Sequence, residues 1–344
     1  DEDGYGYGGG RGRGGPEVKT LAGKTDAVGD HLVHLDFVSV KPAVPMTVNA
    51  QVTIVDVNRQ AWAKGTTLLV HPSTRYVGLK AKRQFVEKGT PIELETIAVD
   101  LDGKATPGQA VAVQAVREHW RYQGGKYELQ ELDPQDCKVV AAADAVACSF
   151  ATKEGGTYKI TATVTDDRGR ANTSSLTVWV TGGDLPPQRE LEQEQVNLIP
   201  DKKEYRVGEV AELMVQAPFY PAEGVVSWRR SGLVHHELIK LAGPSTVIKV
   251  PLTEAHVPNL RVQVDLVGQA ARLDDAGQAD KTLPPRPAYA VGSIDLAIPP
   301  RTRTLAVEVA PAQPKLGPGE TASFAVKVKD AAGQPVGAGT VVTV

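Results

Sequence analysis

Phe85-Val-Glu-Lys-Gly-Thr-Pro-Ile-Glu-Leu94, Tyr205-Arg-Val-Gly-Glu-Val-Ala-Glu-Leu-Met-Val215 and Lys315-Leu-Gly-Pro-Gly-Glu-Thr-Ala-Ser-Phe-Ala-Val326 share one pattern, a glycine turn that enters an alternating strand. The aligned glycines, Gly89, Gly208 and Gly319, lie 119 and 111 residues apart. That spacing suits one β-sandwich domain and is too long for a solenoid repeat. The sequence therefore predicts an all-β chain, a tandem array of Ig- or fibronectin-like antiparallel sandwiches. The three glycines take a structural role, forming the turn that starts each repeat.

Working outward, residues 76–182 hold Ile92 to Val99, Ala110 to Trp120, Lys126 to Leu132, Cys148 to Ala151, Gly156 to Thr165 and Ser175 to Val180, with turns at Asp102-Gly103, Gly124-Gly125 and Asp167-Arg168-Gly169. That is enough strand for one complete sandwich. Residues 183–195 are polar and carry Pro186-Pro187, which reads as a linker. Residues 196–300 supply a second sandwich from Val210 to Gln216, Gly224 to Arg230, Leu233 to Leu241, Ser245 to Pro251, Leu260 to Val267 and Ala288 to Leu296, with an exposed loop at Gly268 to Arg286. Residues 16–75, with runs His31 to Val40, Val48 to Val57 and Thr66 to Val70, read as the end of a truncated sandwich. Residues 301–344, with Leu305 to Val309, Thr321 to Lys329 and Gly339 to Val344, read as the start of another. Residues 1–15 are glycine-rich with too few apolar groups to offset ordering, and read as a flexible loop or tail. No segment sustains an apolar helical period, so helix content is expected to be very low.

Composition narrows the function classes. The 344 residues suit two to three domains. With 38 Lys plus Arg against 41 Asp plus Glu, a net of -3, there is no basic field to attract nucleic acid. Tyr5, Tyr7, Arg11 and Arg13 resemble an Arg-Gly tail, but two arginines are too few for an electrostatic grip on RNA. No stretch approaches the roughly 20 apolar residues of a membrane span, and the N-terminus lacks the basic start and apolar run of a signal peptide. A chain that begins with Asp and stops at Val344 within a β-like run reads as an internal segment of something longer.

No catalytic, cofactor-binding or metal-binding constellation emerges, and the chain does not read as an enzyme. Gly23-Lys24-Thr25 resembles a phosphate loop, but position 18 is Val where that motif needs glycine. His31 and His34, and the neighbours His235 and His236, face opposite ways on strands. Asp100 with Asp102, and Asp166-Asp167, could offer oxygens to Ca²⁺, although turn formation is the commoner use of such residues. Asn172-Thr-Ser174 is a glycosylation sequon on paper. Cys137 and Cys148, with ten residues between them, need only a hairpin to meet. In a β-protein of extracytoplasmic type that favours a disulfide over two buried thiols, and a disulfide would place the protein outside the cytoplasm.

One ordered set of signatures is more specific. Asp201-Lys-Lys-Glu-Tyr205-Arg-Val-Gly208-Glu, Gln216-Ala-Pro218, Ser227-Trp-Arg-Arg-Ser-Gly232, Leu241-Ala-Gly-Pro-Ser245-Thr-Val-Ile-Lys-Val-Pro251, His256-Val-Pro-Asn259-Leu-Arg-Val and Arg286-Pro-Ala-Tyr-Ala-Val-Gly292 closely resemble the bacterial branch of the α2-macroglobulin family. Pro318-Gly319-Glu with Asp330-Ala-Ala-Gly333-Gln-Pro335-Val continues the resemblance downstream. Asp56-Val-Asn58-Arg59-Gln60, His71-Pro72, Tyr76-Val-Gly78, Val99-Asp100-Leu-Asp102-Gly103 and the Cys137 and Cys148 pair carry it upstream.

The resemblance implies macroglobulin-type sandwiches from the N-terminal half of a protease-trapping protein. In that family proteases cut a bait segment and, in members that have one, a Cys-x-Glu-Gln thioester captures the attacker. Neither cysteine here has that context, since Cys137 precedes Lys-Val-Val and Cys148 precedes Ser-Phe-Ala. Proteases are the partners so implied, nucleic acid is not, and periplasmic, membrane-anchored and secreted locations stay open. Trp120, Trp179 and Trp228 are expected to fill cores or seams, and Pro218, Pro251 and Pro258 to fix strand ends. An adhesin stalk, or accessory modules of a secreted hydrolase, are the alternatives that composition permits.

Overall fold

The computed structural model describes residues 18–35, 42–123, 126–183, 194–272, 280 and 282–337. The chain divides into two units, Asp1–Val40 and Lys41–Val344. In the first, the described residues are exposed and form no strand, only a turn at Asp26.

The second unit opens with β1 (Met46–Val55) and β2 (Ala61–Val70), an antiparallel pair in register from Met46 opposite Val70 to Val55 opposite Ala61. One face gathers Met46, Val48, Val52, Ile54, Trp62 and Leu68, and the other carries Thr47, Asn49, Gln51 and Thr53. Nearly all of these side chains are exposed.

Next come β3 (Arg75–Ala81), β4 (Phe85–Val86), β5 (Ile92–Asp100), β6 (Ala110–Gln123), β7 (Lys126–Val140), β8 (Val146–Phe150), β9 (Gly156–Thr165) and β10 (Ala171–Val180). They form a three-stranded sheet β3-β5-β8 and a five-stranded sheet β4-β10-β9-β6-β7. Strict alternation decides which side chains meet. In β9, Tyr158, Ile160, Ala162 and Val164 point in and are buried, while Lys159, Thr161 and Thr163 point out. With Ile92, Leu94, Val111, Val113 and Val178 they fill the core of a first sandwich.

A second sandwich repeats the plan with β11 (Glu194–Gln195), β12 (Asn197–Pro200), β13 (Val210–Gln216), β14 (Ala222–Arg229), β15 (Leu233–Leu241), β16 (Ser245–Pro251), β17 (Asn259–Ala270) and β18 (Arg286–Ala297). Its sheets are β12-β13-β16 and β11-β18-β17-β14-β15, packed over Leu213, Val226, Val250, Leu260, Val264 and Leu296. Finally β19 (Ala306–Pro311) and β20 (Phe324–Lys329) form a two-stranded sheet of their own, with side chains largely exposed on both faces.

The quoted repeat occupies the same place in both sandwiches. In the first, the chain leaves the small sheet and pairs briefly, in parallel, with the last strand of the large sheet, Phe85-Val86 beside Trp179-Val180. In the second, Glu204 bridges Ala297 in the same sense. The glycine follows at once, with φ of 91° at Gly89 and 89° at Gly208. Gly89 N–H donates to the Thr152 carbonyl and Gly208 N–H to the Leu252 carbonyl, each just past the third strand of its small sheet. Gly319, at φ 87°, precedes β20 in the same manner.

Five reversals also share one device. Asp26, Asp56, Asp100, Asp166 and Asp330 each accept, through Oδ1, the N–H groups two and four residues on. The residue three positions on has positive φ and is glycine except at Arg59. Turn closure is thus what Asp100 and Asp166 do.

Several expectations change. His31 to Val40 is not a strand over residues 31–35, and its remainder lies outside the described residues, as do residues 1–15, Gly124-Gly125, Pro186-Pro187 and Gly339 to Val344. Strand β3 is not among the runs expected from sequence: its inward residues Val77, Leu79 and Ala81 alternate, but Gly78 and Lys80 between them are weak strand formers. The Asn172 sequon is closed to glycosylation, since Asn172 is buried and its Oδ1 accepts Val77 N–H at 3.0 Å. The only helical turns among the described residues are two short 3-10 segments, Glu254–His256 and Arg301–Arg303. No helix there is long and apolar enough to cross a membrane.

Candidate functional site: the seam between the sandwiches

In the second sandwich's small sheet, alternation sends Ala211, Leu213 and Val215 of β13 into the core, so Glu212, Met214 and Gln216 face outward. Met214 nevertheless has no exposed surface. The register explains the grid around it: Asn197, Gln216 and Ser245 form one row, Ile199, Met214 and Val247 the next, and Glu212 with Lys249 the third, beside Asp201. The first sandwich makes contact with each row.

Over the middle row sit Phe85, which is buried, and Trp179, closing an apolar cluster with Ile199, Met214 and Val247. At one end Gly182 N–H donates to Ser245 Oγ at 2.9 Å. At the other, Arg83 hydrogen-bonds Glu212 and approaches Asp201 Oδ2 at 3.8 Å, while Lys249 reaches Glu212 Oε1 at 3.5 Å. The Arg83 hydrogen bond, opposed in part by burial, holds the Glu212 carboxyl below its usual range. The Arg83 guanidinium also lies 5.4 Å from the Phe85 ring centre, within cation–π reach.

Backbone ties flank these contacts. Gln84 N–H donates to the Asp201 carbonyl at 3.1 Å, and Trp179 N–H to the Gln84 carbonyl at 3.1 Å. The buried Asp201 carboxylate accepts Tyr205 Oη–H at 2.8 Å and Glu212 N–H at 3.0 Å. Burial first, and that carboxylate second, push the Tyr205 phenol well above its ordinary range. Polar, apolar and polar rows in register make an interface that fixes orientation as well as contact.

A second joint lies at the start of the first sandwich. Asp166 Oδ2 accepts Thr74 N–H at 3.1 Å, Thr74 Oγ1–H at 3.2 Å and Arg170 Nε–H at 2.9 Å, and Thr173 N–H donates to the Ala43 carbonyl at 2.8 Å. Burial works against the Asp166 carboxylate, but these bonds outweigh it and hold its pKa far below the ordinary range.

Among the residues singled out by sequence, Trp179 is in the seam and Trp228 is in the second core, with the His235 ring tilted by 39° against it at 4.2 Å between ring centres. Trp120 belongs to neither. It is half-buried opposite Leu129, where β6 and β7 run on as a ribbon past the end of β9 pairing at Glu118. Cys137 and Cys148 are bonded, with Cα atoms 6.5 Å apart, but not as neighbours in a hairpin. Strands β7 and β8 belong to different sheets, so the disulfide staples the two layers at their open edge. Gln135 supports it there, its amide exchanging two hydrogen bonds of 2.9 Å with the Ala151 backbone. Met214 and Phe85 went unmarked, although the run Leu213-Met214-Val215 breaks strict alternation and so signals a strand covered on both faces. Among the described residues no three His, Cys, Asp or Glu side chains group as a metal site.

Residues 196–344 match the family model described as the alpha-2-macroglobulin bait region domain. An alpha-2-macroglobulin homolog of Nostoc sp. is 25% identical over 301 residues, covering 85% of this chain and 15% of that protein. Native Escherichia coli alpha-2-macroglobulin is 17% identical over 83% of this chain and 19% of its own, at a TM-score of 0.31. A Salmonella alpha-2-macroglobulin mutant is 17% identical over the same shares, at 0.28. The chain thus spans less than a fifth of the length of these relatives. Residues 196–344 therefore match the alpha-2-macroglobulin bait region domain, and most of the chain is similar in sequence to an alpha-2-macroglobulin homolog.

Proposed function

We propose that this chain is scaffold from a broad-spectrum protease inhibitor, one that traps proteases after bait cleavage, acting outside the cytoplasm as a periplasmic or secreted protein. The observation that carries the proposal is the match of residues 196–344 to the bait region domain. The seam adds a physical role. A trap must convert a local cut into a large rearrangement, and sandwiches locked face to face transmit displacement as one body. On this reading residues 76–182 and 196–300 are each one sandwich domain joined by the linker 183–195. Residues 16–75 and 301–344 are then parts of neighbouring sandwiches. The uncovered apolar face of β1 and β2 supports this, because an isolated two-stranded sheet is marginal in water. The disulfide supports an oxidising compartment.

The test uses the intact parent protein. It is exposed to a broad-specificity protease, which is then assayed on a small peptide and on a large protein substrate. Retained activity on the peptide with loss on the protein shows caging. Equal activity on both after cleavage of the parent excludes trapping, and leaves the adhesin or accessory-module readings.

A further inference from the structure

The second sandwich's core ends at Ile298, which is buried and whose N–H donates to the Pro258 carbonyl at 2.8 Å. Pro299 and Pro300 follow, then the 3-10 turn Arg301–Arg303, and only then β19. The two arginines reach different walls of the sandwich. Arg301 pairs with Glu204 at 2.8 Å, beside the parallel bridge to Ala297, and Arg303 pairs with Glu254 at 2.5 Å, on the 3-10 turn before β17. Together they tether the segment before β19 to the second sandwich at two separate places. All four side chains are more than half exposed, at 60% and 55% for the first pair and 62% and 51% for the second. The seam at the other end is different in kind, since its middle row is apolar and buried.

We propose that Pro299–Thr304 is an electrostatic latch: its two ion pairs hold β19 and β20 at one angle to the second sandwich and release them when the charges are screened or neutralised. The array then bends at this joint and not at the seam. Each exposed ion pair weights the closed arrangement by about two- to five-fold, and two together by on the order of ten-fold. That is enough to keep one arrangement dominant and little enough for a modest force to reverse it. At about 1 M salt, where charges are screened within about 3 Å, most of that weighting disappears.

Distances between spin labels on the intact parent protein test this, with Leu238→Cys and Glu308→Cys reporting across the latch and Lys104→Cys and Leu238→Cys across the seam. Cys137 and Cys148 are bonded to each other and so do not compete for label. The latch pair is expected to give one narrow distribution at low salt and a broad one at about 1 M salt. It should be broad at any salt in E204Q/E254Q, and E204R combined with R301E should restore the narrow form at low salt. The seam pair should stay narrow throughout. A latch distribution that is broad in the unaltered chain at low salt, or indifferent to E204Q/E254Q, overturns the proposal. So does broadening at the seam pair under the same changes.

Discussion

Arg83, in the first sandwich, hydrogen-bonds the carboxylate of Glu212 on the middle strand of the second sandwich's small sheet, directly beside the row in which Phe85 and Trp179 bury Met214. Ionic and apolar contacts thus sit side by side in one seam, and their magnitudes separate them. Arg83 is 42% exposed, so its pairing contributes no more than about 1 kcal/mol. Phe85 is buried, and Phe85→Ala is expected to cost about 3–5 kcal/mol. Denaturant titration of both variants decides the matter. A larger loss for Arg83→Ala than for Phe85→Ala would show that charge, and not burial, holds the seam.

Asp166 predicts an acid limb of stability. Its native pKa is depressed, because hydrogen bonds from Thr74, Arg170 and Arg168 overcome the burial that would raise it. A depressed carboxylate binds its proton later in the folded than in the unfolded state. Its contribution is therefore complete above about pH 5 and declines as pH falls through about 4 toward the native value. Asp166→Asn should be less stable than the parent at pH 7 by about 2–3 kcal/mol, from the loss of charged hydrogen bonds. The gap should narrow toward pH 2, and thermal midpoints across that range check it. A gap independent of pH would sink the assignment.

Reduction of Cys137–Cys148, or Cys137→Ser with Cys148→Ser, reopens a loop of sequence separation 11 and is expected to cost about 2–3 kcal/mol. The effect should be local. Hydrogen exchange should quicken in β5, β7 and β8 of the first sandwich while the second keeps its protection, and equal loss in both would contradict the edge-staple assignment.

The repeat glycines separate backbone strain from crowding. A Cβ at Gly89 or Gly208 meets nothing within 4 Å, so the cost of Ala there is the positive φ alone, about 1–2 kcal/mol, and Asn should be milder. Gly292 lacks positive φ, but its Cβ would stand 2.1 Å from the Val196 carbonyl oxygen, so the backbone must move and Gly292→Ala should cost more. Chemical denaturation ranks the three. A cost near zero for Gly89→Ala would show that the positive φ carries no penalty at the repeat turn.

Period-two alternation and turn chemistry are local properties of the chain, which is why they were legible. Tyr158, Ile160, Ala162 and Val164 announce a half-buried strand whatever lies opposite, and Gly89, Gly208 and Gly319 announce positive φ because other residues resist it. What each strand faces is not local. The chain from Cys137 to Cys148 allows a hairpin or a crossing between sheets, and the crossing is chosen because β8 pairs with β5, a strand far earlier in the sequence. Trp120 belongs by composition in a core, yet β6 outruns β9 and leaves it on a ribbon.

By itself, then, the amino-acid sequence determined the all-β class, the repeat of about one sandwich and the turns that punctuate it, because each depends on neighbours within a few residues. Only the tertiary structure decided that Phe85 and Met214 belong to a seam, that Arg83 meets Glu212, and that the disulfide joins two layers. Those pairings join surfaces that are interchangeable in composition, and close packing selects among them only once both sheets have formed.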